Sequence, residues 1–314
     1  MTQQSTKVAA IDCGTNSIRL LIHDTEHGEI SRRNTIVRLG QGVDETGQFA
    51  PEAIERTRVA LADYVEEMQR EGVTRVRMVA TSATRDASNR DDFFAMTGEL
   101  LDQIQPDAVA EVITGEEEAA LSFAGATSDL DPIRGPFCVI DLGGGSTEFV
   151  METEDGIRAV STQMGCVRIT ERFMRSDPPT EEETAKARAY IDERIAEAAE
   201  VVPFSEASTI VGCAGTFTTL SALAQDLDQY DPAAIHMSEV TFDRMREVTA
   251  DLRRKTAAQR RENPVVHPGR ADVIAAGSTV VEQIIAYADA LSDLANVLVS
   301  EKDILDGIVL GMRR

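Results

Sequence analysis

One pattern occurs twice in this chain, once in each half. VAAIDCGTNSIRLLI (8–22) and FCVIDLGGGSTEFVM (137–151) both run apolar strand, Asp, Gly-bearing turn, Ser, second apolar strand. A duplicated strand–turn–strand restricts the chain to two like halves, each opening on a hairpin. Ile18 to Ile22 follows the first turn at once as a second strand. That order excludes a dinucleotide-binding fingerprint, in which the Gly turn leads into a helix.

Downstream of each hairpin the pattern alternates between strand and helix, so the fold class is α/β. In the first half, apolar spacing predicts helices over 51–70 and 91–104 and strands over 75–80 and 109–113. The polar run Thr81-Ser82-Ala83-Thr84-Arg85 follows the first of these strands, and Thr114-Gly115-Glu116-Glu117-Glu118 with an apolar helix over 119–125 follows the second. Thr127 to Pro132, with Gly135-Pro136 beyond, reads as a linker. The second half predicts a charged helix at about 180–200, a strand over 209–211, and a third Gly turn at Gly212-Cys213-Ala214-Gly215-Thr216. Helices at about 217–226, 241–253 and 270–288, a strand over 296–299 and a last helix over 304–312 complete it. Two domains are therefore expected, 1–127 and 128–302.

Charge narrows the partners. With 54 acidic and 31 basic residues the net charge is -23, a surface that repels a nucleic-acid backbone. Any polyanion site must be a local exception built from backbone N–H groups, a few Arg and a cation. The N-terminus lacks the apolar core of a signal peptide, and no run approaches a membrane span. Cys13, Cys138, Cys166 and Cys213 form no zinc spacing and read as reduced thiols, so a cytoplasmic protein is expected.

The turns point to phosphate. Consecutive Gly residues turn several N–H groups one way and remove the Cβ atoms that block close approach. Gly143, Gly144 and Gly145 do this in the second turn, while Ser146, Thr147, Asn16 and Ser17 add side-chain donors. Asp141 and Asp12, each ending a strand, offer hard oxygen ligands for Mg²⁺ or its water shell, with Asp141 the stronger candidate. One such turn alone is equally a plain hairpin; two turns, with the third Gly turn behind them, favour a phosphate chain. Glu116, Glu117 and Glu118 are by pattern a helix start, since Thr114 and Glu117 stand at capping-box spacing.

Seven segments in order then resemble the exopolyphosphatase and guanosine pentaphosphate phosphatase family, within the actin, Hsp70 and sugar-kinase fold group. They are AIDCGTNSIRLLI (10–22), ATSATRDASN (80–89), VITGEEEAALSFAG (112–125), VIDLGGGSTEFV (139–150), MGCVRITERF (164–173), VGCAGTFTTLSAL (211–223) and RADVIAAG (270–277). The resemblance implies two actin-like (ribonuclease H-like) domains with an active-site cleft between them. It also implies that the helix over 303–314 completes the first domain. It makes Glu118 the water-activating carboxylate and Glu148 a second acid that helps place water or metal. It sets Arg85, Asn16, Cys166 and, more weakly, Arg270 on the phosphate chain. The activity it implies is Mg²⁺-assisted release of terminal orthophosphate from inorganic polyphosphate, with Mn²⁺ as a substitute. The competing substrate is the 5′ γ-phosphate of guanosine pentaphosphate, a nucleoside polyphosphate. The absence of the HD-type helical domain of larger members favours short chains, and a homodimer is carried over from the family. A sugar or acid kinase, a filament-type ATPase and a non-hydrolytic phosphate-chain binder are the readings from other classes; no acceptor signature supports the first. Many members carry S-D-x-x-L-R-E-G near the end, where Ser300 to Gly307 here places Leu305 for the Arg and Asp306 for the Glu.

Overall fold

The computed structural model describes residues 6–313. These fall into two compact units, one within Met1–Gly125 and Ile304–Arg314, the other Ala126–Asp303. Unit 1 runs β1 Lys7–Cys13, β2 Ser17–Asp24, β3 Gly28–Ile36, α1 Val43–Thr46, α2 Pro51–Glu71, β4 Arg75–Ala80, α3 Ser82–Asp86, α4 Arg90–Leu101, β5 Glu111–Val112 and α5 Gly115–Ala126. Unit 2 runs β6 Phe137–Leu142, β7 Thr147–Thr153, β8 Gly156–Thr162, α6 Cys166–Phe173, α7 Glu181–Ala199, β9 Thr209–Cys213 and α8 Ala214–Ala224. It continues with α9 Pro232–Ile235, β10 Ser238–Thr241, α10 Phe242–Arg254, α11 Ala257–Arg261, α12 Ile274–Leu291 and β11 Asn296–Val299. The chain then returns to unit 1 as α13 Ile304–Met312.

The sequence repeat is a repeat of topology. Sheet order in unit 1 is β3-β2-β1-β4-β5, and in unit 2 it is β8-β7-β6-β9-β11 with β10 added at the far edge. In each, the opening hairpin is antiparallel and the next two strands join in parallel. The parallel strands need covering on both faces, which is why β1 and β6 read as unbroken apolar runs and are buried almost throughout.

Alternation along β1 divides the unit 1 core. Ala9, Ile11 and Cys13 face α2 and α4, whereas Val8 and Ala10 face Ile304, Leu305, Ile308 and Val309 of α13. The last helix thus covers a sheet face that would otherwise lie open. Leu305 is buried in that core, which explains an apolar residue there, and Asp306 accepts from Nη1 and Nη2 of Arg32, at 3.1 and 2.7 Å.

Several elements differ from expectation. Strands β3 and β8 are sheet edges with few apolar residues, GEISRRNTI and GIRAVST, so no apolar run marks them. Only Glu111–Val112 of the expected 109–113 strand is paired. The polar run after β4 is a one-turn helix, α3. The third Gly turn is a direct strand-to-helix junction: Gly212 and Cys213 end β9 and Ala214 opens α8. The helix expected from 270 begins at Ile274, because residues 270–273 form a turn in which Val273 and Ile274 donate to the Arg270 carbonyl. All four cysteines are free and buried, and no helix among the described residues is long and apolar enough to cross a membrane.

Candidate active site

The two hairpin turns close in the same way. Gly14 N–H donates to the Ser17 carbonyl at 2.9 Å, and Gly143 N–H donates to the Ser146 carbonyl at 3.0 Å. Behind each turn a second segment takes up its carbonyls. In unit 1 the loop after β3 does this: Val37 and Arg38 donate to the Asn16 carbonyl and Gly40 donates to Thr15. Arg38 holds a left-handed φ of 53°, and a Cβ on Gly40 would lie 2.4 Å from the Thr15 methyl. In unit 2 the start of α6 does it: Cys166 donates to Gly143, Val167 and Arg168 to Gly144, and Gly165 to Gly145. The buried Arg168 adds Nε to the Gly145 carbonyl at 2.7 Å. A peptide plane directs its N–H opposite its carbonyl. Anchored carbonyls therefore turn the N–H groups of Gly144, Gly145 and Ser146, and of Asn16 and Ser17, to the other side of each turn. Such a fan of N–H groups is what a phosphate accepts from.

Gly165 is required for this bracing, since a Cβ there would stand 2.3 Å from the Gly144 carbonyl group. Cys166 contributes through its backbone; burial pushes its thiol up to about 11, so it is protonated at neutral pH. Asn16 and Ser17 are half-buried.

Hairpin closure also sets which side chains stand abreast. In unit 1 Asp12 pairs across the strands with Arg19, and in unit 2 Asp141 pairs with Glu148 at the equivalent place. Arg19 donates Nε and Nη2 to Asp12 Oδ2 at 3.0 and 2.6 Å, so that carboxylate anchors a cation. The unit 2 position instead sets two acids side by side, with Asp141 6% and Glu148 1% exposed. Ser161 donates to Glu148 Oε1 at 2.7 Å. Like charges abreast on a sheet repel, so this row suits a bound cation.

Glu118 and Arg85, 33 residues apart, meet in unit 1. Arg85 Nη1 donates to Glu118 Oε2 at 2.8 Å and to the Ile113 carbonyl at 3.0 Å. Arg85 Nη2 is buried without a hydrogen-bond partner among the described residues. A buried cationic N–H left unpaired is costly, and an anion would satisfy it. The neighbouring acids do other work: Glu117 N–H is capped by Thr114 Oγ1 at 3.1 Å, and Glu117 Oε1 takes Arg77 at 2.7 Å. The Thr114–Glu117 spacing thus delivers the cap on the Glu117 N–H, while the Glu117 carboxylate goes to Arg77; of the three acids only Glu118 is buried.

In unit 2 the half-buried Arg270 lies flat on Gly215 at the β9–α8 junction; a Cβ there would be 2.2 Å from its Cζ. The site residues missed in sequence are Arg19, Gly165, Arg168 and the loop 37–40. Arg19 was within reach, because a hairpin closed from Gly14 to Ser17 puts Arg19 opposite Asp12 by counting.

The chain is similar to known proteins over nearly its whole length. A model of the Ppx/GppA phosphatase family matches residues 21–312. The chain is 52% identical to exopolyphosphatase 2 of Mycobacterium tuberculosis, with 98% of each chain covered. A crystal structure of an exopolyphosphatase-like protein superposes with a TM-score of 0.91 at 40% identity, over 98% of this chain and 99% of the other. The Ppx/GppA family member of Aquifex aeolicus superposes with a TM-score of 0.77 at 30% identity, over 98% of each.

Proposed function

Because the chain belongs to the Ppx/GppA phosphatase family, we propose that it is an exopolyphosphatase that removes terminal orthophosphate from inorganic polyphosphate. The observation carrying this reading is the Glu118–Arg85 pair, a buried carboxylate beside a guanidinium whose Nη2 has no hydrogen-bond partner among the described residues. Glu118 takes the proton of a water aimed at the terminal phosphorus, and Arg85 Nη2 meets a phosphoryl oxygen. The bond to the bridging oxygen breaks; orthophosphate leaves, and the chain departs one phosphate shorter. Within unit 1 the N–H groups of Asn16 and Ser17 are further donors for phosphoryl oxygens; within unit 2 the N–H groups of Gly144, Gly145 and Ser146 are such donors, with Arg270 as a cation of the same unit.

Among the described residues no group of three or more His, Cys, Asp and Glu side chains could hold a metal ion. Asp141 and Glu148 suit Mg²⁺ all the same, since that ion keeps several waters and takes one or two carboxylates together with substrate phosphates. Mn²⁺ fits the same hard donors. When bound, the ion supplies positive charge to the phosphoryl oxygens. Asp12, already engaged by Arg19, is the lesser ligand. The four buried free thiols suit a reducing cytoplasm, and the family resemblance supports a homodimer.

The test is phosphate release from short polyphosphate, long polyphosphate and guanosine pentaphosphate at matched Mg²⁺. Release from polyphosphate that stops with EDTA and returns with Mg²⁺ is expected. A rate confined to guanosine pentaphosphate would move the assignment to that substrate, and turnover dependent on an added acceptor would make the protein a kinase.

The acid row yields a sharper expectation. Glu148→Gln removes one of two neighbouring buried carboxylates. In EDTA its denaturation midpoint should rise by the equivalent of about 0.5–1 kcal/mol, while phosphate release falls. Added Mg²⁺ should raise the wild-type midpoint and leave that of the variant nearly unmoved. A lowered midpoint in EDTA would mean that Glu148 is simply a satisfied strand residue.

A further inference from the structure

The last motif in the chain, Ser300 to Gly307, ends in a glycine that the proposed chemistry does not use. Gly307 lies in α13, where it meets the backbone of α5. A Cβ on Gly307 would stand 2.0 Å from the Leu121 carbonyl oxygen, 2.7 Å from its carbonyl carbon and 3.0 Å from its Cα. These are backbone atoms, so no side-chain rotation relieves the contact.

Leu121 is three residues beyond Glu118, on the same side of α5. Its neighbour α13 is held firmly. Ile304, Leu305, Ile308 and Val309 pack on Val8, Ala10, Leu21 and Val79 of the sheet. Arg32 grips Asp306 with two nitrogens, and Arg75 Nη2 donates to the Met312 carbonyl at 2.8 Å. On α5, Glu117 takes Arg77 at 2.7 Å and Glu118 takes Arg85 at 2.8 Å, so any separation forced on the two helices at Leu121 is felt at these pairs.

We infer that Gly307 is a positioning residue for the catalytic base: its bare α-carbon lets α13 set the seat of α5, and so the distance from Glu118 to Arg85 and to the attacking water. The inference rests on Glu118 being that base. A methyl at 307 must move α5 by about 1 Å to bring the Leu121 oxygen to a tolerable distance, and a displacement of that size can cost on the order of 100-fold in rate. The phosphate turns lie on other elements and keep their geometry.

Gly311 supplies the control. It is in the same helix, and a Cβ there would meet nothing within 4 Å. Four proteins are compared on polyphosphate: Gly307→Ala, Gly311→Ala, Glu118→Gln and the double variant Gly307→Ala with Glu118→Gln. Expected for Gly307→Ala is a kcat lowered roughly 10- to 100-fold with KM within about twofold. Gly311→Ala should match wild type. Within the Glu118→Gln background, adding Gly307→Ala should change the residual rate by less than about twofold, since the group it misplaces is already gone. A multiplied loss in the double variant, or a full kcat in Gly307→Ala, overturns the inference. If Gly307→Ala does not fold, Asp306→Asn loosens the Arg32 anchor without adding bulk. Its kcat should fall several-fold at constant KM, again without further loss in the Glu118→Gln background, and a multiplied loss there has the same adverse meaning. A wild-type rate in Glu118→Gln alone would remove the base assignment; an inactive Glu118→Gln beside a fully active Gly307→Ala would remove the positioning role alone.

Discussion

Glu118→Gln should lower kcat for polyphosphate by roughly 10²- to 10⁴-fold, the range spanned by loss of a general base. The amide is isosteric with the carboxylate and its Oε1 still accepts from Arg85 Nη1, so the contact between the two residues is kept. Basicity is what disappears. The sign of the KM change is informative. Arg85 loses the carboxylate that stands 2.8 Å from it, and its full charge becomes available to the substrate. KM should therefore stay level or fall, never rise. Progress curves of phosphate release, with the fold checked by far-UV circular dichroism, read both quantities. A kcat within threefold of wild type would refute the assignment of the base to Glu118. A raised KM with kcat unchanged would make Glu118 a binding group instead.

Gly165→Ala should be the most damaging single methyl in unit 2. Its Cβ would fall 2.3 Å from the Gly144 carbonyl carbon and oxygen and 2.4 Å from the Gly145 nitrogen. Everything that could yield is backbone, and it is the same backbone that carries the N–H groups of the turn. Either α6 backs away and loses the bonds from Cys166 to Gly143, at 3.0 Å, and from Val167 to Gly144, at 2.8 Å, or the Gly turn itself is pushed over. Overpacking of this kind costs about 1–3 kcal/mol. A lower denaturation midpoint is expected, and with it a KM for polyphosphate raised at least tenfold, because the N–H fan is misaimed. Equilibrium unfolding in urea and initial rates against substrate concentration separate the two effects. Wild-type KM with wild-type midpoint would show that α6 does not brace the turn.

Much of the local architecture was readable along the chain. An apolar run of four followed by Asp, a Gly turn, Ser and a second apolar run can hardly be other than a buried hairpin, and its recurrence predicted two sheets of one plan. The helix over 51–70 announces itself through its apolar spacing and Pro51 at its start, and the helix at about 180–200 through its charged run, to which the structure adds a Thr180–Glu183 capping box. The edge strands β3 and β8 escaped because half their surface faces water, which leaves no continuous apolar signal. The cross-strand partners Asp12 with Arg19 and Asp141 with Glu148 lay within reach too, since a tight turn sets the register by counting alone.

The boundary between what was legible and what was not follows contact distance along the chain. Strand, turn, cap and hairpin register depend on residues within about ten of one another, so amino-acid order carries the two Gly turns, the acids that end the strands before them and the α/β class. The chemistry depends on groups that order leaves far apart. Which of three consecutive glutamates is the inward one was settled by Arg85, brought to Glu118 by the β4–α3 packing. Whether the Gly turn presents its N–H groups was settled by α6, about twenty residues downstream, whose own N–H groups hold the carbonyls away. The seat of α5 was settled by α13, nearly 190 residues later, because a sheet must be covered on both faces and the last helix carries the apolar stripe that covers it. Each is a packing event between surfaces, and burial and steric exclusion act on distance in space, to which the order of residues is blind.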